Sequence, residues 1–247
     1  MDVLVEACVD SVASALAAER GGAKRLELCA NLFDGGTTPS AGMLSAVKAA
    51  VHIPVFVIVR PRGGGFVYTH DEMGVMRLDI EAARMLGADG VVVGPLTQDA
   101  RVDEEQLRTL VVAARDLPVT FHRAFDLTRD LDQSLEALLR HGVSRVLTSG
   151  GATSALVGVN QIAALVRRAA GQIVVMAGGG IREEGVQEIV HRTGVREVHV
   201  RGTREVYGST PISPTGITLR KALPTDERAW EETDERRIRE FVRLANG

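Results

Sequence analysis

The sequence predicts an α/β fold: eight parallel strands, each followed by a helix, closed into a (β/α)8 TIM barrel that occupies residues 1–247 as one domain. Three observations predict it. Apolar runs of strand length alternate with helix-like segments, the pattern of parallel strands buried on both faces. The joints before the runs repeat: Gly22-Ala23, Gly87-Ala88, Gly142-Val143 and Gly194-Val195 precede the second, fourth, sixth and eighth, while Pro54 and Pro118 open the third and fifth. Eight runs with this two-fold alternation favour a closed barrel over an open doubly wound sheet, which is the alternative.

In chain order the runs are VLVEAC, RLELCA, PVFVIVR, GVVVGPL, PVTFHRAF, RVLTSG, QIVVMAGGG and EVHVR. A glycine at a helix-to-strand joint takes the left-handed conformation that stops a helix. A proline at a strand's first residue loses no ladder hydrogen bond. Long glycine-containing loops follow the second run (ANLFDGGTTPSAG) and the third (PRGGGFVYTHDE), and either could close over a ligand. After the eighth run, residues 204–228 are rich in Pro, Thr and Gly and read as a long irregular loop. AWEETDERRIREFVRLAN, residues 229–246, reads as a closing amphipathic helix.

Composition narrows the function. A formal charge of −3 argues against a nucleic-acid partner. No apolar run approaches the roughly 18–20 residues that cross a bilayer, and the first ten residues lack a signal peptide's regions, so no membrane is expected and the cytoplasm is the simplest location. Two cysteines give no secreted disulfide framework. The only lysines, Lys24, Lys48 and Lys221, fall away from strand C-terminal ends, which excludes a Schiff-base aldolase.

Polar residues interrupt runs that should bury hydrocarbon. Counting from the joint glycines, Glu27 is equivalent to His199 and Cys29 to Arg201; counting from the prolines, Ile58 is equivalent to His122. Alternation along a strand then puts Glu6, Glu27, Arg60, His122 and His199 on one face. Unpaired charges beneath the helices would each be costly, so this face is expected inside the barrel near its C-terminal mouth. Glu6, Glu27, Arg60, Arg62 and His122 are the candidate catalytic set, with Arg60 expected to pair with the two glutamates. The plainer reading of that set is a buried ion-pair network.

The turns TSGGAT and MAGGGIREEG end the sixth and seventh runs, with RGTR after the eighth. Their exposed amides make Ser149, Gly150, Gly178, Gly179 and Gly180 candidates for binding an anion; tight turns with no ligand are the alternative. Cys8 and Cys29 occupy equivalent positions on neighbouring strands, two residues beyond Glu6 and Glu27. Two thiolates with few other donors suit Cu(I), and two buried cysteines acting as small hydrophobes are the alternative.

EACVDSVASALAAERGGAKRLELCANLFDGGTTPSAG, IPVFVIVRPRGGGFVY, PVTFHRAFD, RVLTSGGA and VMAGGGI, in this order, resemble the CutC family over about residues 3–199. The resemblance implies a TIM barrel, commonly a homodimer, cytoplasmic, with a role in copper homeostasis and Cu(I) held at Cys8 and Cys29. It also implies that Glu6, Glu27, Arg60, Arg62 and His122 belong at the mouth. The chain departs from the family's pattern at Ala177, where proline is usual, and at Arg201-Gly202-Thr203, where Ser-Ala-Arg is usual. Two functions are therefore expected: copper homeostasis through Cu(I) binding, or, alternatively, an isomerase- or lyase-like barrel enzyme that moves a proton on a small anionic or phosphorylated substrate.

Overall fold

The computed structural model describes residues 2–209 and 228–247. Eight parallel strands form a closed barrel in sequence order: β1 (Leu4–Val9), β2 (Arg25–Leu28), β3 (Val55–Ile58), β4 (Gly90–Val93), β5 (Val119–Phe121), β6 (Arg145–Thr148), β7 (Val174–Gly178) and β8 (Glu197–Val200). The helices α1 (Val12–Arg20), α2 (Ala41–Ala50), α3 (His70–Met85), α4 (Glu104–Ala114), α5 (Leu131–Arg140), α6 (Val159–Ala169) and α7 (Glu183–Thr193) cover it. The closed barrel answers the choice between barrel and open sheet, since β1 pairs with both β2 and β8. All four joint glycines have positive φ, as the helix-stopping reading requires.

Local sequence starts the helices where they are needed. Ser11, Ser40, Asp103 and Asp130 each accept a hydrogen bond from a first-turn amide. Thr69 and Glu72 form a full capping box on α3. Beneath the helices, outward-facing strand residues such as Val5, Leu26, Val57, Val91, Val146 and Val198 are buried in one continuous apolar core. Helix burial there supplies most of the hydrophobic driving force.

The inward-facing residues are polar to an unusual degree. At the N-terminal end, Arg25 Nε donates to Glu6, Arg25 Nη2 donates to Glu197, and Arg145 forks onto the same Glu197. Phe56 lies between the two cations, its ring centroid 5.1 Å from Arg25 Cζ and 5.2 Å from Arg145 Cζ. Gly90 makes room for that ring, since a Cβ there would come within 2.5 Å of it.

Two expectations need correction. Residues 204–228 are not irregular throughout: β9 (Thr203–Tyr207) and β10 (Ala229–Thr233) pair antiparallel, so strand structure flanks the segment at both ends. The stretch 210–227 lies outside the described residues. The closing helix α8 starts later than expected and spans Glu235–Ala245, capped by Asp234. Among the described residues no helix is long and apolar enough to cross a membrane.

Glu6 is 1% exposed and joins Arg25 to the upper layer of the barrel interior. Burial opposes its charge, but the hydrogen bond from His199 and the charge of Arg25 outweigh that and hold its pKa down at about 2. A depressed carboxyl contributes stability that is present above its unfolded value of 4.5 and is lost as pH falls towards 2. We predict that Glu6→Gln lowers unfolding free energy by about 3–5 kcal/mol, because two buried cations lose their counter-charge. The variant should also lose the wild-type fall in stability between those pH values. Denaturant titrations from pH 7 down to pH 3 check both, and an unchanged midpoint would contradict the role of Glu6.

Candidate functional site

Above that ionic layer the interior opens into a cleft of about 650 Å³ at the C-terminal ends of the strands. Its floor carries Cys8, Glu27, Cys29 and His199, and its walls carry Arg60, Phe66 and His122. Parallel strands in a closed barrel are staggered, so Cys8 is paired by backbone with Glu27 rather than with Cys29. That stagger still brings the two sulfurs to 3.7 Å, and one donor atom from each of Cys8, Glu27 and Cys29 lies within 4.8 Å of the others. Gly36 gives the loop room to pass, with its Cβ position 3.4 Å from the Cys29 sulfur.

His199 is the hub of the floor. Its Nδ1 is 2.8 Å from Glu6 Oε1 and its Nε2 is 3.6 Å from Glu27 Oε2. Burial opposes a charged ring, but hydrogen bonds with Cys8 and Glu6 and the charges of Glu27 and Glu6 prevail and hold its pKa well above the usual value. Gly178 admits the ring, because a Cβ there would approach Leu147 to 2.4 Å and His199 to 3.1 Å.

The two sulfurs are close enough to share a proton. The hydrogen bond from Cys29 is the main cause that brings Cys8 down to about 5 against its burial, with His199 and Arg201 adding to it. The same bond, together with burial, raises Cys29 well above its ordinary range. Either sulfur can donate in this contact, and the pair as a whole takes up its first negative charge more readily than a lone buried thiol would, with Cys8 the side on which His199 favours it. Glu27 has only the 3.6 Å contact with His199, which it shares with Glu6: burial lifts it to about 8, with His199 opposing and the charges of Cys8 and Glu6 reinforcing. In the floor and the layer beneath it, three cations, Arg25, Arg145 and His199, face Glu6, Glu197 and one negative charge on the thiol pair, while Arg60 is a further buried cation in the wall above.

The walls differ from expectation. Arg60 does not pair with the glutamates. Its Nη1 donates to the carbonyls of Asp34 and Gly36 at 2.8 and 2.7 Å, and its Nη2 donates to Gly64 at 2.8 Å. Glu6 already has Arg25 and His199, and Arg60, beyond the end of β3, reaches loop carbonyls instead. Arg62 is not in the cleft: its side chain is 42% exposed and donates to Glu72 at 2.5 Å, which ties the β3–α3 loop to the capping box. β3 ends at Ile58, so Arg62, four residues on, belongs to the loop and turns to α3 rather than to the mouth. Glu6 lies beneath the floor, enclosed, rather than lining the cleft.

The glycine turns also carry more than backbone. The amides of Ser149 and Gly151 donate at 3.0 Å to the carboxylate of Asp126, and the Gly150 amide donates to Thr148 Oγ1 at 2.8 Å. The part of the β6 turn expected to meet an external anion thus faces an internal one. Gly179 lies against the Arg123 guanidinium, which also contacts Asp126 and Ser149 at 2.8 Å. Gly179 and Gly180 border the cleft.

Known proteins share this sequence pattern and this fold. A sequence profile of the CutC family matches residues 3–204. The chain is 47% identical over 244 residues to the human copper homeostasis protein cutC homolog, covering 98% of this chain and 89% of that one. It is 51% identical over 240 residues to a CutC family protein of Xylella fastidiosa strain Temecula1, covering 97% and 88%. The crystal structure of a candidate copper homeostasis protein CutC from Streptococcus agalactiae superposes with a TM-score of 0.77 at 36% identity, covering 80% of this chain and 97% of that one.

His122 gives the site a distinct donor. Its Nδ1 accepts from the Ala124 amide at 3.1 Å, so the ring proton belongs on Nε2. Burial and, secondarily, the charge of Arg60 lower its pKa to about 3. We predict a neutral Nε2–H imidazole from pH 8 down to pH 4. Long-range ¹H–¹⁵N correlation spectra of the histidine rings read the tautomer, and a charged ring or an Nδ1–H form at pH 6 would contradict the assignment.

Proposed function

Since this chain belongs to the CutC family, we propose that it acts in copper homeostasis by binding Cu(I) between Cys8 and Cys29 at the floor of the barrel mouth. The observation that carries the reading is the pair of sulfurs 3.7 Å apart beneath an open cleft. Sulfur–metal bonds of about 2.3 Å, the length known for zinc thiolates, let one ion span that separation. Thiolates are soft donors that select Cu(I), whereas the neighbouring Glu27 oxygen is a hard and weaker donor for it. Names of relatives support copper as the physiological ion, since the human and mouse proteins are called copper homeostasis proteins.

Charge supports a monovalent ion in particular. The floor and the ionic layer beneath it are balanced when one proton sits between the sulfurs; Arg60, in the wall above, stands outside that count. Replacing that proton with Cu(I) leaves the balance unchanged. A divalent ion would add a buried positive charge unless Glu27 also gave up its proton. Binding should therefore release one proton per Cu(I) near neutral pH. His199 and Arg25, through Glu6, hold the anionic sulfur and the balance in place.

A second reading is favoured by Glu27, whose raised pKa of about 8 suits a residue that gives and takes a proton near neutrality. On that reading the barrel mouth is an active site for proton transfer on a small anionic substrate.

The two readings predict opposite variant patterns. For copper, Cys8→Ser with Cys29→Ser should weaken Cu(I) affinity by at least about a thousandfold in competition with bathocuproine disulfonate, because hydroxyls are poor ligands for a soft cation. Glu27→Gln should change that affinity by less than about tenfold, since both thiols remain. For proton transfer, Glu27→Gln should lower turnover by about 10²–10⁴ while the serine pair keeps most of it. Wild-type affinity no better than an exposed dithiol's, or release of two protons per ion, would contradict the copper reading.

A further inference from the structure

Two nitrogen donors of cleft-lining residues, Arg60 Nε and His122 Nε2, are buried without a well-formed hydrogen bond, and the Tyr68 hydroxyl beside the Arg60 guanidinium is likewise unpaired. Arg60 is 4% exposed and His122 is 5% exposed, so neither is satisfied by bulk water as a surface group would be. An unmet buried donor is expensive, and native structures seldom keep one without a role. Both residues line the same cleft, and both contact Phe66: Arg60 Cζ stands 5.0 Å from its ring centroid and the His122 ring 5.0 Å.

Arg60 adds a second anomaly. Among the described residues no carboxylate lies within ion-pair distance of it, and three loop carbonyls hold its guanidinium in place. A buried cation with fixed orientation and no counter-ion is a charge waiting for an anion. Gly94 fixes the other donor: a Cβ there would fall 2.1 Å from His122 Cε1, so the ring occupies space that only glycine leaves. The volume of about 650 Å³ is far more than a metal ion at the cysteines needs and falls within the range of small-molecule pockets.

We propose that this cleft binds a small organic oxyanion, whose charged oxygens accept from Arg60 Nε and His122 Nε2 and whose carbon body packs against Phe66, Ile58 and Leu32. The neutral imidazole serves as a donor without adding charge, and Arg60 supplies the counter-charge. The two donors come from the ends of β3 and β5, above the thiol pair on the floor of the same cleft. The site deepens the proton-transfer reading by naming what would hold the substrate; binding without turnover would uphold the site and deny the enzyme.

The test uses the full-length wild-type protein and side-chain ¹H–¹⁵N spectra that resolve the Arg60 Nε–H and His122 Nε2–H. Oxalate, succinate, phenyl phosphate and inorganic phosphate are titrated to 20 mM at constant ionic strength. At least one organic probe should shift both resonances saturably, with half-saturation below about 1 mM. Succinate or oxalate acting alone marks a carboxylate site, and phenyl phosphate acting alone marks a phosphate-ester site. His122→Phe should weaken the same probe at least tenfold by calorimetry. Should His122→Phe not fold, the wild-type titration alone decides. No saturable shift from any probe, a response to inorganic phosphate only, or equal affinity in His122→Phe would overturn the site.

Discussion

The buried contact between Glu6 and Arg25 is the constraint on which the upper half of the barrel depends. Arg25 is shared between Glu6 and Glu197, and Glu6 is shared between Arg25 and His199. Each charge in this chain is tolerable only because its neighbours are charged in the opposite sense, since a lone ion in such a place would be very costly. The consequence reaches the chemistry. With Glu6 committed to holding His199 cationic, His199 in turn favours an anionic sulfur at Cys8, and burial pushes Glu27 towards its protonated form. A hydrocarbon interior of ordinary barrel type would leave the two cysteines as inert thiols.

Fold and site meet in the barrel stagger. Closure displaces each strand along its neighbour, so that Cys8 faces Glu27 by backbone pairing while its sulfur still reaches Cys29. The ion chain lies towards the N-terminal end, the thiols above it, and the cleft with Arg60 and His122 above them. Chemistry therefore rises through the barrel from fixed charge, to a shared proton, to open solvent. That gradient suits a site that takes up an ion or an anion from one side only.

The barrel was legible because the glycine joints and strand-opening prolines mark every second element, and the inner face because alternation is strict within a strand. The same alternation, extended two residues towards the N-terminus from Glu27, Leu147 and His199, points to Arg25, Arg145 and Glu197, which the sequence reading missed. Each follows a polar joint residue (Lys24, Ser144, Arg196), where a charge looks like a solvated flank until closure buries it. Arg60 kept its face but not its partner, because attraction between opposite charges does not reveal that loop carbonyls lie closer. Asp126 was invisible for a similar reason: it belongs to a turn after β5, and only the packed structure brings it under the β6 turn. The β9–β10 pair escaped notice because its residues are mostly charged or polar and only Ala229 and Thr233 are buried, so no apolar alternation marks it.

His199 is the point at which the ionic layer and the thiol pair are joined, and its charge state is directly observable. Ring ¹⁵N shifts recorded on the metal-free protein between pH 6 and pH 9 separate an imidazolium, with both nitrogens protonated, from either neutral tautomer. A charged ring at pH 7.5, becoming neutral at lower pH in Glu6→Gln than in wild type, is the outcome that follows from three cations facing three negative charges in the floor and the layer beneath it. A neutral His199 at pH 7 in the wild-type protein would leave the negative charge of the thiol pair without its counter-charge and would contradict the coupling of fold to site.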